Sequence, residues 1–286
     1  MGVDKTPPAL DPRRSAENMI RLFLIAWLVL CSTAERISAC TVFVLTDSNR
    51  VLFCNNEDGP DDTTRIWFQP AGTNRYGCVF VGYDDGWAQG GMNTEGLAVD
   101  WVAGWKEEWH PDPALPEVRG GQEVLENCAT VEEAIQFYTQ HRDPNLWYAK
   151  ALLTGKTGES VLIGANRGKL QIWRKNVSWG LGYGEYTLRS MLEKSSEPTL
   201  TNATTILRRC LQKGKYATRY VNVFDVKSGE MFLYPFPEKD IEVKLSLAAE
   251  LARGAHYYDM TKIQTQLEKP LRPLLQNMKR YPDSHP

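Results

Sequence analysis

A chain of 286 residues that is 42% hydrophobic and 24% charged has enough apolar material to bury a core, and too much to be disordered or collagen-like. Its formal net charge is −2, with acids and bases interspersed, which excludes the basic footprint of a nucleic-acid binder. There is no internal repeat and no long run of like charge.

The first readable element is a targeting segment. Residues 22–30, LFLIAWLVL, form an apolar run too short to span a bilayer comfortably. Arg21 precedes the run, and small and polar residues follow it up to Ile37-Ser38-Ala39. This order reads as a secretory signal over residues 1–39, removed before Cys40, with Met19 as the true start. A secreted or periplasmic protein is therefore expected, without a stable membrane span once the signal is gone. Export permits disulfides. Cys31 leaves with the signal. Cys54, Cys78, Cys128 and Cys210 then either form two bridges, in one of three connectivities, or stay as buried thiols. Cys40 is the odd cysteine.

Beyond Cys40, the stretches Thr41–Leu45 and Val51–Cys54 are apolar and β-branched, and Asp47-Ser48-Asn49 between them makes a hairpin. Strands are predicted at Ile66–Phe68 and Cys78–Val81, a turn at Gly90-Gly91, and a further strand at Leu97–Val102. The four tryptophans Trp87, Trp101, Trp105 and Trp109 suit either a core or an aromatic-walled pocket. Helical spacing marks Gln122–Cys128 and Val131–Tyr138, the second capped by Thr130 with Glu133 three residues on. A strand pair follows at Ser160–Ala165 and Lys169–Trp173, then helices at Tyr186–Lys194 and Asn202–Gln212. Tyr220–Val226 and Glu230–Tyr234 read as a hairpin, and Val243–Arg253 as a helix closed by Gly254. Runs of strands segregated from runs of helices imply an α+β fold of antiparallel sheets. One domain over residues 40–286 is expected, with a loosely attached tail after Pro270.

An N-terminal cysteine carries a nucleophile and a base on one residue. The free α-amine titrates near ~7.7–8.0 and the thiol near ~8.5, so the amine can take the thiol proton and later deliver it to a leaving group. No histidine is required. His110, His141, His256 and His285 lie in no catalytic-cysteine signature, and His256 reads as structural. No metal-ligand spacing occurs, and neither a metal nor a cofactor is expected.

Three motifs stand in order: Cys40-Thr41 followed by Asn55-Asn56-Glu57-Asp58, then Gly91-Met92-Asn93-Thr94-Glu95-Gly96-Leu97, then Thr218-Arg219-Tyr220-Val221-Asn222-Val223-Phe224-Asp225. With them the chain resembles the linear amide C–N hydrolases, the N-terminal-nucleophile (Ntn) family that includes choloylglycine hydrolases, penicillin V acylases and acyl-CoA:6-aminopenicillanate acyltransferases. The resemblance implies a four-layer αββα sandwich and hydrolysis of a small N-acyl amide through a Cys40 thioester. It implies that Asp58 holds the α-amine. It makes Asn55, Asn56 and Asn93 candidates on the substrate side, Asn93 also reading as a residue that fixes a turn. Asn55 stands where bile salt hydrolases carry Arg, which speaks against bile salts. Asn176 is the candidate for the oxyanion hole. Glu185 stands where the family has an Arg, and Arg189 is the candidate substitute. Two alternatives remain: an acyltransferase on the same fold, or a non-catalytic lipoprotein acylated on Cys40, since Ile37-Ser38-Ala39-Cys40 also resembles a lipobox. Homo-oligomerisation is left open.

Overall fold

The computed structural model describes residues 40–104, 106–239, 241–267 and 272–273. Residues 1–39, read from sequence as a signal and including Met19 and Cys31, as well as Trp105, His285 and most of the tail after Pro270, lie outside the described residues.

Fifteen strands form two antiparallel sheets among the described residues. The first contains β1 (Thr41–Thr46), β2 (Val51–Asp58), β10 (Trp179–Gly182), β11 (Thr218–Asp225), β12 (Glu230–Tyr234) and β13 (Val243–Ser246), in the order β10-β1-β2-β11-β12-β13. The second contains β3 (Thr64–Gln69), β4 (Cys78–Tyr83), β5 (Ala88–Asn93), β6 (Ala98–Ala103), β7 (Ala149–Thr154), β8 (Ser160–Asn166), β9 (Lys169–Lys175), β14 (His256–Asp259) and β15 (Arg272–Pro273), in the order β15-β14-β3-β4-β5-β6-β7-β8-β9.

Period-two alternation explains the layering. On β1, Val42 and Val44 join the core between the sheets, while Phe43 and Leu45 turn to the other face. There they meet α3 (Glu185–Lys194) and α4 (Leu200–Arg209) through Leu188, Ile206 and Leu207. On β4, Val79 and Val81 face the first sheet, and Cys78 and Phe80 face α1 (Gly120–Asn127) and α2 (Val131–Gln140). The result is the expected helix–sheet–sheet–helix sandwich with three apolar clusters, one in each interlayer space. The cap of α2 forms as expected, since Thr130 Oγ1 accepts from the Glu133 N–H at 3.1 Å.

Two elements differ from the sequence expectation. Gly90 and Gly91 lie inside β5 and make no turn. A Cβ on Gly90 would stand 2.1 Å from Asp100 Oδ2, and one on Gly91 would stand 2.3 Å from the Val79 carbonyl oxygen, so close approach fixes both glycines. Val243–Arg253 divides into β13 and α5 (Leu247–Ala252). Val243 and Leu245 are buried while Lys244 and Ser246 are exposed, a strand's alternation that an apolar count alone takes for a helix. Strands β7, β10, β14 and β15 escape sequence reasoning, because AKALLT has no clear period, WGLG is short and glycine-rich, and HYYD and RP are too short to show alternation. The four cysteines Cys54, Cys78, Cys128 and Cys210 are buried free thiols.

Candidate active site

Cys40 immediately precedes β1, next to the central strand β2. Thr41 pairs with Asn56 and Val42 with Asn55, which brings Cys40 level with Glu57. Glu57 in turn pairs with Tyr220, and Asn55 with Asn222. Cys40, Asn55, Glu57, Tyr220 and Asn222 thus share the face that looks toward the second sheet.

The neighbouring strand fixes the main chain of Cys40. The Tyr183 N–H donates to the Cys40 carbonyl at 3.1 Å. A Cβ on Gly182, whose φ is +124°, would stand 1.9 Å from the same oxygen, so no larger residue fits there. The thiol lies against the backbone of Asp58, whose N–H donates to Sγ at 3.5 Å.

A cavity of ≈ 260 Å³ opens at Cys40. Glu57, Asp58 and Tyr83 border it near the thiol, and Trp87, Trp101 and Tyr148 form an aromatic wall. Two of the four tryptophans singled out by sequence therefore line a pocket. Trp109 instead packs on the cluster beneath the second sheet and donates from Nε1 to the Asp143 carbonyl at 2.9 Å.

The electrostatics near Cys40 are one-sided. Asp58 Oδ1 accepts from the Thr218 hydroxyl at 2.6 Å, and that hydroxyl accepts from the Gln212 N–H at 2.9 Å. Asp58 Oδ2 is buried without a partner. Burial pushes the Asp58 carboxyl up to about 7, against the pull of Thr218. Glu57 is 2% exposed; Asn55 Nδ2 donates to it at 3.3 Å, and the Cys40 thiol and the Tyr83 hydroxyl stand close enough to favour its charged form as well. Burial raises its titration as well, and the charge of Asp58 adds to the effect. Asp100, fully buried on β6, is raised by burial and by the charge of Glu57, with Oδ2 unpartnered. Burial first, then Glu57, Asp58 and Asp100, keep the Cys40 thiol protonated well above its ordinary range. Arg219 directs its guanidinium to the carbonyls of Gly59 and Pro60 on the cavity rim.

The structure brings Cys40 and Asp58 together, with Asn55 beside Glu57 behind them. The other sequence candidates lie elsewhere. Asn56 faces the helix layer and donates to the Leu207 carbonyl at 3.0 Å. Asn93 holds its turn: Nδ2 donates to the carbonyls of Leu125 and Cys128, and Oδ1 accepts from the N–H groups of Glu95 and Leu97. Asn176 is exposed between β9 and β10, at the Thr46 end of β1, where the Thr46 N–H bonds Ser178. That end lies six residues along the strand, or ~20 Å, from Cys40, so the oxyanion role expected of Asn176 has no geometric support. Arg189 is an exposed side chain on α3 paired with Glu185 at 3.0 Å, and it does not reach the cavity. Glu57, Asp100 and Tyr83 were missed. Extending the alternation of β2 from Phe53 through Asn55 finds Glu57 on the face of Cys40; Asp100 and Tyr83 have no such signal. Among the described residues, no group of three His, Cys, Asp or Glu is placed to hold a metal ion.

No protein-family model and no curated protein matches the sequence. Solved structures do match. Penicillin V acylase from Agrobacterium tumefaciens aligns at a TM-score of 0.62 and 16% identity, over 77% of this chain and 91% of that one. The chain has the Ntn hydrolase fold. Two variants of conjugated bile acid hydrolase from Clostridium perfringens share the Ntn fold at a TM-score of 0.61 and 14% identity, over 77% of this chain and 96% of theirs.

Proposed function

We propose that the protein is an N-terminal-nucleophile amidase of the linear amide C–N hydrolase kind, exported and cut before Cys40. The observation that carries this reading is the placement of Cys40: level with Glu57, against Asp58, at the mouth of a cavity whose described lining residues include no base other than carboxyls. A buried thiol among three carboxyls is a poor nucleophile while the chain is uncut. A cut before Cys40 creates an ammonium at this point. It supplies the missing counter-charge, with Asp58 Oδ2 as its acceptor, and its neutral form takes the thiol proton. The thiolate then attacks the amide carbonyl, the amine leaves with the proton, and water cleaves the thioester. The fold shared with penicillin V acylase and conjugated bile acid hydrolase supports the same chemistry. The Asp58 N–H, 3.5 Å from Sγ, is a backbone donor beside the thiol, available to an oxyanion.

Intact mass and N-terminal sequencing of the exported protein test the reading. A chain that begins with free Cys40 and hydrolyses N-acyl amides supports it. A chain that begins elsewhere, or carries a lipid on Cys40, overturns it. An added amine that captures the acyl group would shift the assignment to an acyltransferase.

A further inference from the structure

The cavity at Cys40 has acid groups among its described lining residues and no base to match them. Its described lining residues include the carboxyls of Glu57 and Asp58 and no lysine, arginine or histidine. Asp100 adds a third carboxyl behind Glu57. The oxygens Oδ2 of Asp58 and Asp100 are buried without partners, as are both amide atoms of Asn222, which stands beside Asn55 in the same row. Arg219 is committed to the backbone carbonyls of Gly59 and Pro60. The α-amine released at Cys40 brings one positive charge to three carboxyls. Trp87, Trp101 and Tyr148 also line the cavity, and aromatic rings attract cations at their faces.

We propose that this cavity selects amides that carry an ammonium group close to the scissile bond, with Glu57 as the counter-charge, and rejects amides that carry an anion there. The proposal rests on Cys40 as the N-terminal nucleophile and names the substrate class of that site. An ammonium draws Glu57, which burial keeps from ionising, into an ion pair, whereas a carboxylate or sulfonate makes the neighbouring carboxyls harder still to ionise and finds no cation among the described lining residues. The ammonium can belong to either half of the amide, as an α-amino group on the acyl part or as the second amine of a diamine.

Two matched substrate series separate these sources. In the acyl series, the p-nitroanilides of phenylalanine, 3-phenylpropanoic acid and 2-benzylsuccinic acid place an ammonium, a hydrogen or a carboxylate group near the bond. In the amine series, 3-phenylpropanoyl amides of ethylenediamine, propylamine and β-alanine do the same. The ammonium member of at least one series should exceed its neutral partner in kcat/KM by about tenfold or more, and the anionic member should fall below it. Glu57→Gln should collapse that ratio. Equal rates, or a preference for the anion, in both series overturn the proposal, whether or not that variant folds. Calorimetry on the cleaved Cys40→Ala protein with phenethylammonium and 3-phenylpropionate reads the same preference without turnover. If a chain with a proven free Cys40 hydrolyses no amide, the amidase reading fails; the calorimetry still decides the charge preference, and tighter binding of the carboxylate refutes it.

Discussion

Two buried glutamates show how differently one fold treats the same group. Glu250, on α5, is surrounded by partners: His256 Nε2 and the Tyr258 hydroxyl each donate to Oε2 at 2.9 Å, and Arg253 Nη1 reaches it at 3.1 Å. Burial pushes its carboxyl up, but the bonds from His256 and Tyr258 and the charge of Arg253 outweigh burial and hold it below its usual range. His256 spends its other nitrogen on the Gly254 carbonyl and stacks on Phe68 at 4.9 Å, so it is a structural residue, as its sequence context suggests. Glu57 has only neutral donors, Asn55, the Cys40 thiol and the Tyr83 hydroxyl, with two carboxyls for neighbours, and burial outweighs those donors. Buried carboxyls with strongly raised titration cluster at functional sites, and the Glu57 cluster borders a cavity while the Glu250 cluster fastens α5 to β14.

Substitutions can break this contrast. The largest effect is expected at the incomplete cluster: Cys40→Ala should lower amide turnover by about a thousandfold or more with the fold intact, measured as kcat/KM beside a circular-dichroism melt. Next, Glu250→Ala leaves Arg253, His256 and the Tyr258 hydroxyl without their common acceptor. It should cost about 3 kcal/mol in denaturant unfolding while the folded fraction keeps its turnover. Asp100→Asn removes a carboxyl that burial keeps from ionising in the folded chain but not in the unfolded one, and should raise stability at pH 8 by about 1 kcal/mol. The pH profile sharpens the point. Asp58 titrates at about 7 in the folded chain against 3.8 ordinarily, so the folded state binds the extra proton. Stability of the uncut chain therefore falls as pH rises through that window, and Asp58→Asn should flatten the slope. The smallest effects belong to Asn176→Ala and Arg189→Ala, each expected to change stability by no more than about 0.5 kcal/mol and turnover not at all.

The layers were legible in the sequence because apolar alternation in β1, β4 and β11 reports which face each residue serves. The cysteine was legible because it follows the small-residue end of an apolar run. The rest of the site was not, for a physical reason. Asp100 belongs to the second sheet and acts on Glu57 across the interlayer space, a proximity that no sequence spacing encodes. Gly90, which makes room for Asp100, signals a turn when read locally. Asn176 and Arg189 were placed by analogy of chemical type at a plausible distance along the chain. Strand β10, only four residues long, passes Cys40 with Gly182, which has no side chain to offer.

Ordinary chain ends fray, because nothing holds the first few residues. An end made by cutting before Cys40 would not. Gly182 presses on its carbonyl, Tyr183 bonds it, and strands flank the following residue on both sides. Removal of the leader would therefore leave a terminus as rigid as a core strand, and no further ordering would be needed before a substrate could meet the thiol.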